Sequence, residues 1–363
     1  MGKRLYSMDA IRVLAMVLVI IVHTKQYFFA PAAHSSVFAV LKVIGTVGVP
    51  LFVILTGYLM FDRNYKDNAY LQKYLVRNFL PLVITYEFWN VAWNVLRYTH
   101  VVEEPQKWTA IVKAALFMGD TLSALWYLPM TIALYLGMPI LSIAFHRITL
   151  ASYQKLLCIA LLLSGTLIPS IAPLVSLFGH NPSIHSVLRM NIFGASVWGE
   201  SVWMIYLLSG YAISKGKLKC IKTPILSVLG ILLPIGIMYI IEHSGHTVQH
   251  YDFILVVLLS ISTFEILTRG EQILQNHSIL QSLITAISRI SFGVYMMHIF
   301  VGGAIFQFLK STGMDTPIGK PFSSLSSIIA YLVFIAATII GIQIIILILK
   351  KNKFIRRYVL LMK

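Results

Sequence analysis

The sequence predicts an all-α protein, a polytopic membrane helix bundle of about ten transmembrane helices with both termini in the cytoplasm. Three observations carry that expectation. Of 363 residues, 58% are hydrophobic and 12% charged, and the mean hydropathy is +0.81, too apolar for one water-soluble core. Apolar stretches long enough to cross about 30 Å of hydrocarbon recur along the whole length, with short polar links between them. The formal charge of +16 is also distributed unevenly. With a cytoplasmic N-terminus, every Lys and Arg except Lys25, Lys42, Arg97, Lys107, Lys113, Arg189, Lys310 and Lys320 falls on a cytoplasmic segment, which requires an even number of spans. The charge is therefore read as topology rather than as a nucleic-acid surface, with membrane lipids as the surrounding partner. No link is long enough for a soluble domain, so residues 1–363 are expected to form a single integral membrane domain.

The first span, 8–29, contains DAIRVLAMVLVIIVH, Asp9 to His23. A charge in hydrocarbon costs about 3 kcal/mol, so an ionisable residue there usually faces a protein interior or a wet cavity. Arg12 and His23 share one face, about three turns and 16 Å apart, and Asp9 lies one turn before Arg12 on that face. Arg12 reads either as a snorkelling residue at the headgroups or as a ligand for phosphate oxygens. His23 reads either as a packing histidine or as a group that accepts and returns a proton. The long apolar run and Arg12 favour a retained span over a cleaved leader, despite the small residues Ala30, Ala32 and Ala33.

The second span, 38–61, carries GTVGVPLFVILTGYLMF, whose Gly48, Thr56 and Gly57 suit close helix packing. The third, 76–96, follows Lys73 and includes Arg77, Pro81 and Glu87. Lys73 and Arg77 share a face, as ordinary positive-inside residues or as a phosphate-binding mouth, and the proline can kink the helix beyond them. The fourth, 122–146, has Trp126 at headgroup level, then Tyr135 and Pro139. The fifth and sixth, 154–177 and 193–214, bring Cys158 and Glu200; Cys158 and Cys220 lie near cytoplasmic ends, where a disulfide is unusual. The seventh and eighth, 223–242 and 249–268, flank EHSGHTVQHYD, whose His243, His246 and His250 read as a polar loop, with no metal site expected. The ninth, 286–309, contains SRISFGVYMMHIF, in which Ser288, Ser291, Tyr295 and His298 form one polar stripe of hydrogen-bonding or cavity-lining residues. The tenth is 323–350.

In order along the chain, Arg12 with His23, VPLFVILTGYLM, the Lys73–Arg77–Pro81 run, LWYL with Tyr135 and Pro139, and ISFGVYMMH resemble the motifs of acyltransferase family 3. These are membrane-bound bacterial acyltransferases that O-acylate sugars of surface polysaccharides, and the chain resembles their short form without an appended extracytoplasmic domain. The resemblance implies an acyl-CoA donor, usually acetyl-CoA, as co-substrate, with no permanently bound cofactor and no metal. It implies as acceptor a hydroxyl of a cell-surface polysaccharide or its lipid-linked sugar precursor, and the bacterial cytoplasmic membrane as location. It assigns His23 and Arg12 to catalysis and Arg12, Lys73 and Arg77 to the donor. Asp9, Trp126, Ser291, Tyr295, His298 and Glu200 would line the cavity. Some relatives carry an acidic pair after the fourth-span tryptophan, where this chain has Met130, Thr131 and Ile132. The alternative from another class is a transporter or flippase for a saccharide or small polar substrate, since polar residues inside a bundle also mark translocation paths.

Overall fold

A computed structural model describes residues 4–29, 36–98, 108–116, 125–176, 201–218, 223–244, 251–312 and 325–362. All regular elements among them are helical: α1 (Tyr6–Phe28), α2 (Ser36–Gly45), α3 (Gly48–Met60), α4 (Asn68–Tyr74), α5 (Leu80–Tyr98), α6 (Trp108–Ala115), α7 (Tyr127–Arg147), α8 (Ala151–Leu162), α9 (Ile168–Ser176), α10 (Ser201–Ser214), α11 (Pro224–His243), α12 (Ile254–Arg269), α13 (Glu271–Gln275), α14 (Ser278–Ser311), α15 (Leu325–Leu349) and α16 (Lys353–Tyr358). Two π-helical turns, Leu75–Phe79 and Leu163–Leu167, join α4 to α5 and α8 to α9.

Seven of the described helical segments are long and apolar enough to cross a membrane. They fall at seven of the ten expected positions. The third position is helical, but Arg77, Glu87, Asn90 and Asn94 dilute its apolar run. The sixth is described only from Ser201 onward, and the eighth, α12, has 16 residues. The second expected span is two helices, broken at Thr46 and Val47. Pro50 has no N–H to give the Thr46 carbonyl, and the chain turns there.

The chain divides into two compact units: Met1–Asp62 with Phe145–Ser288 and Leu309–Leu332, and Arg63–Ala144 with Arg289–Phe308 and Val333–Lys363. In the first, α1 packs on α2, α3 and α12, α3 packs on α10, and α11 on α2 and α12. Its core includes Ile11, Ala15, Met16, Ile20, Leu51, Ile54, Tyr206 and Phe264, all without appreciable exposure. Gly57 and Gly210 set the α3–α10 approach: a Cβ on Gly57 would run into the Leu207 carbonyl, and one on Gly210 into the Ile54 carbonyl.

In the second unit, α16 is tied to α5 by Thr85 Oγ1, which donates to Tyr358 O at 2.6 Å, and by Trp89 Nε1, which donates to Val359 O at 3.0 Å. Tyr74 donates to Tyr135 O at 2.7 Å, and its ring sits edge-on to Tyr65. Each π-helical turn ends two residues before a proline, Pro81 or Pro169. A proline ring clashes with the carbonyl four residues back, and a widened turn relieves that clash without ending the helix.

Candidate functional site

The site is built on α1, whose start is fixed from far along the chain. Leu5, at its N-cap, offers no capping side chain. The Glu271 carboxylate of α13 accepts instead from the backbone N–H of Ser7 at 2.7 Å and of Tyr6 at 3.2 Å. Burial alone would raise the Glu271 pKa, but hydrogen bonds from Ser7 and Gln275 and from the two backbone amides outweigh it and bring it below the ordinary carboxylate value.

One turn in, Asp9 is 4% exposed and gathers three donors. Its Oδ2 accepts from Arg4 Nε at 2.7 Å, and its Oδ1 from Arg12 Nη1 at 3.0 Å and Ser288 Oγ at 2.7 Å. Ser288 in turn accepts from Arg12 Nη1 at 3.0 Å. The Arg12 side chain keeps 32% of its surface exposed. Two guanidinium groups thus share one carboxylate, which leaves net positive charge with unused N–H donors, a suitable receptor for phosphate oxygens.

His23 lies three turns further on the same helix and is half-buried. The far end of α1 is held by Tyr331 of α15, whose hydroxyl is 2.9 Å from Thr24 Oγ1 and whose ring packs against Phe28 and Phe29. The helix is unbroken from Tyr6 to Phe28, so Arg12 and His23 keep the common face expected from their spacing.

The polar stripe of α14 divides between the two units. Ser288 joins Asp9 and Arg12 in the first, whereas Ser291, Tyr295 and His298 are buried in the second. There the Tyr295 ring stands edge-on to Tyr127 at 5.7 Å, and Trp126 is beside Tyr127 at 6.5 Å. His298 Nδ1 is 2.7 Å from the Tyr295 carbonyl. A carbonyl only accepts, so Nδ1 carries a proton and donates it to Tyr295.

Lys73, in the last turn of α4, and Arg77, in the following π-helical turn, are exposed and belong to the second unit. Thr131 donates to the Tyr127 carbonyl of its own helix at 2.7 Å. Glu200, His246 and His250 lie outside the described residues. Among the described residues no group of three or more His, Cys, Asp or Glu side chains could hold a metal ion. Sequence reasoning read Arg4 only as a cytoplasmic charge although it lies five residues from Asp9, and it missed Glu271 and the link from Ser288 to Arg12 because contacts across more than 260 positions leave no local periodicity.

The acyltransferase 3 family, described as an acyltransferase domain, matches residues 5–347. The chain belongs to acyltransferase family 3. No curated protein and no solved structure matches it. Family membership makes the chain an acyltransferase, and its apolar helices make it a multi-pass membrane protein.

Proposed function

We propose that this acyltransferase moves an acyl group, acetyl foremost, from acyl-CoA to a hydroxyl of a cell-surface polysaccharide or its lipid-linked sugar precursor, in the cytoplasmic membrane of a bacterium. The observation that carries this reading is the Arg12 guanidinium held by Asp9 and Ser288 on the helix that bears His23.

Arg12, with Lys73 and Arg77 as further cationic groups, binds the phosphates of coenzyme A, and the pantetheine arm carries the thioester towards His23. His23 takes the proton of the acceptor hydroxyl as its oxygen attacks the thioester carbonyl. The tetrahedral intermediate collapses, the C–S bond breaks, and the leaving thiolate recovers the proton from the imidazolium. General-base assistance of this kind contributes about 100- to 10,000-fold, and holding donor and acceptor together contributes more. A transient acyl-histidine is the covalent variant of the same step. Tyr295, His298, Ser291, Trp126 and Glu200 are assigned to the cavity that receives the acceptor.

Purified protein in liposomes, given radiolabelled acetyl-CoA and candidate glycans, tests the proposal. Release of free coenzyme A with label in the glycan is expected, and His23→Ala is expected to lower turnover by about 100-fold or more while donor affinity is unchanged. Full transfer by folded His23→Ala would refute the catalytic role. Passage of unmodified saccharide without donor consumption would replace the enzyme by the transporter.

A further inference from the structure

The end of α1 away from Arg12 gathers charges that the mechanism above does not use. Lys25, in the last turn of α1, is 5% exposed, so its stem does not carry the ammonium out to solvent as a snorkelling lysine would. Its Nζ donates to the Val22 carbonyl at 2.6 Å and lies 5.2 Å from the centroid of the Phe38 ring in α2. Glu242 of α11 is close enough to interact electrostatically with Lys25, but it is paired with Lys42 of α2, Nζ to Oε2 at 2.6 Å. The side chains of that pair are 12% and 8% exposed. Among the described residues, two mostly buried ammonium groups therefore share one carboxylate.

An ammonium removed from water is strongly disfavoured without a counter-charge. The C-terminal dipole of α1, one carbonyl and one ring face compensate Lys25 only in part. Lys25 also retains N–H donors beyond the one given to Val22. Residues 23 and 25 project from the helix about 160° apart. The Lys25 stem nevertheless folds back onto the carbonyl of Val22, the residue just before His23.

We propose that Lys25 and Lys42 form an anion subsite at the end of α1 that bears His23, which holds a carboxylate or phosphate group carried by the acyl acceptor. The acceptor is then an acidic sugar or a sugar on a lipid diphosphate, and a neutral glycan lacking such a group is a poor substrate. Two ammonium point charges suit either anion, whereas the Arg12 fork at the other end of the helix serves the donor. The assignment of the ligand as the acceptor rests on the acyl-transfer reading; the anion subsite itself does not.

The test uses the full-length protein in detergent and two pairs of probes. Methyl β-glucuronide is compared with methyl β-glucoside, and geranyl diphosphate with geraniol, by calorimetric titration. One anion is expected to bind at least about tenfold tighter than its neutral counterpart, and which one it is separates sugar carboxylate from lipid diphosphate. Lys25→Met should lower that affinity about tenfold, Lys25→Arg should keep it within about threefold, and both should bind coenzyme A as the wild type does. Lys25→Gln keeps a donor for Val22 but removes the charge, and it gives the same loss if the methionine variant does not fold. No preference for either anion, or an undiminished preference in the uncharged variants, overturns the subsite. Charge-dependent binding without any acyl transfer would sink the functional reading and leave the subsite. Equal KM for anionic and neutral acceptors during transfer would do the reverse.

Discussion

Asp9 shows how one buried carboxylate can organise the start of a membrane helix. It orients Arg12 and Arg4 and engages Ser288, so its replacement acts on binding and stability together. Asp9→Asn keeps the shape but leaves two guanidinium groups without their shared counter-charge. Because both arginines are partly exposed, the expected loss is modest, about 1–2 kcal/mol in thermal unfolding, with a raised KM for acyl-CoA. Arg12→Lys keeps the charge and loses the fork; a KM for the donor about tenfold higher with kcat nearly unchanged is expected from steady-state kinetics. Glu271 supplies the pH dependence at this end of α1. Its folded pKa is lowered from the ordinary 4.5, so its contribution is complete above that value and is lost as pH falls through the folded value. The melting temperature should therefore decline below about pH 4.5, and Glu271→Gln should flatten part of that decline while lowering stability at neutral pH.

Glycine placement governs the packing of whole helices. At the α3–α10 crossing, Gly57 and Gly210 face each other's partner backbone, so an added methyl meets carbonyl oxygens rather than a side chain that can move. Gly57→Ala should cost about 1–3 kcal/mol, towards the upper end because backbone must shift. Gly137→Ala in α7 is the control: its nearest neighbour would be Leu141 Cδ1 at 3.6 Å, an ordinary contact, so the gain in helix propensity should stabilise by about 0.5–1 kcal/mol. Thermal unfolding of both variants in one detergent decides the comparison, and equal shifts would mean that the crossing is not tight. The small residues of the second span were legible in the sequence as a packing face, but their partner was not. Gly57 meets Leu207 across 150 positions, and no local pattern identifies which of several apolar helices supplies that backbone. The π-helical turns were likewise hidden: Pro81 announced a kink, but a widened turn and a bend answer the same missing hydrogen bond.

At the scale of the molecule, composition was the most legible feature, because the apolar surface has to go somewhere. Leu232, Ile240, Leu332 and Ile348 are each more than half exposed, and burying such a side chain is worth about 1.5–3 kcal/mol, so these faces belong against lipid. The motif order was equally legible, and it led to the family that matches residues 5–347. Less legible was the division of the α14 stripe, since Ser288 and His298 lie on one helix yet belong to different compact units, and periodicity along a helix does not say what each turn meets. The orientation in the membrane is so far an expectation from the Lys and Arg distribution, and it can be tested directly. In a background lacking Cys158 and Cys220, single-cysteine variants Asn64→Cys, Ser244→Cys and Lys351→Cys occupy exposed positions at the ends of α3, α11 and α15. With ten spans and a cytoplasmic N-terminus, an impermeant maleimide should label Ser244→Cys in intact cells and the other two only after permeabilisation. Labelling of Lys351→Cys from outside would mean an odd number of spans. The basic residues Lys350, Lys351, Lys353, Arg356 and Arg357 would then face the outer surface, against the charge asymmetry that the rest of the chain obeys.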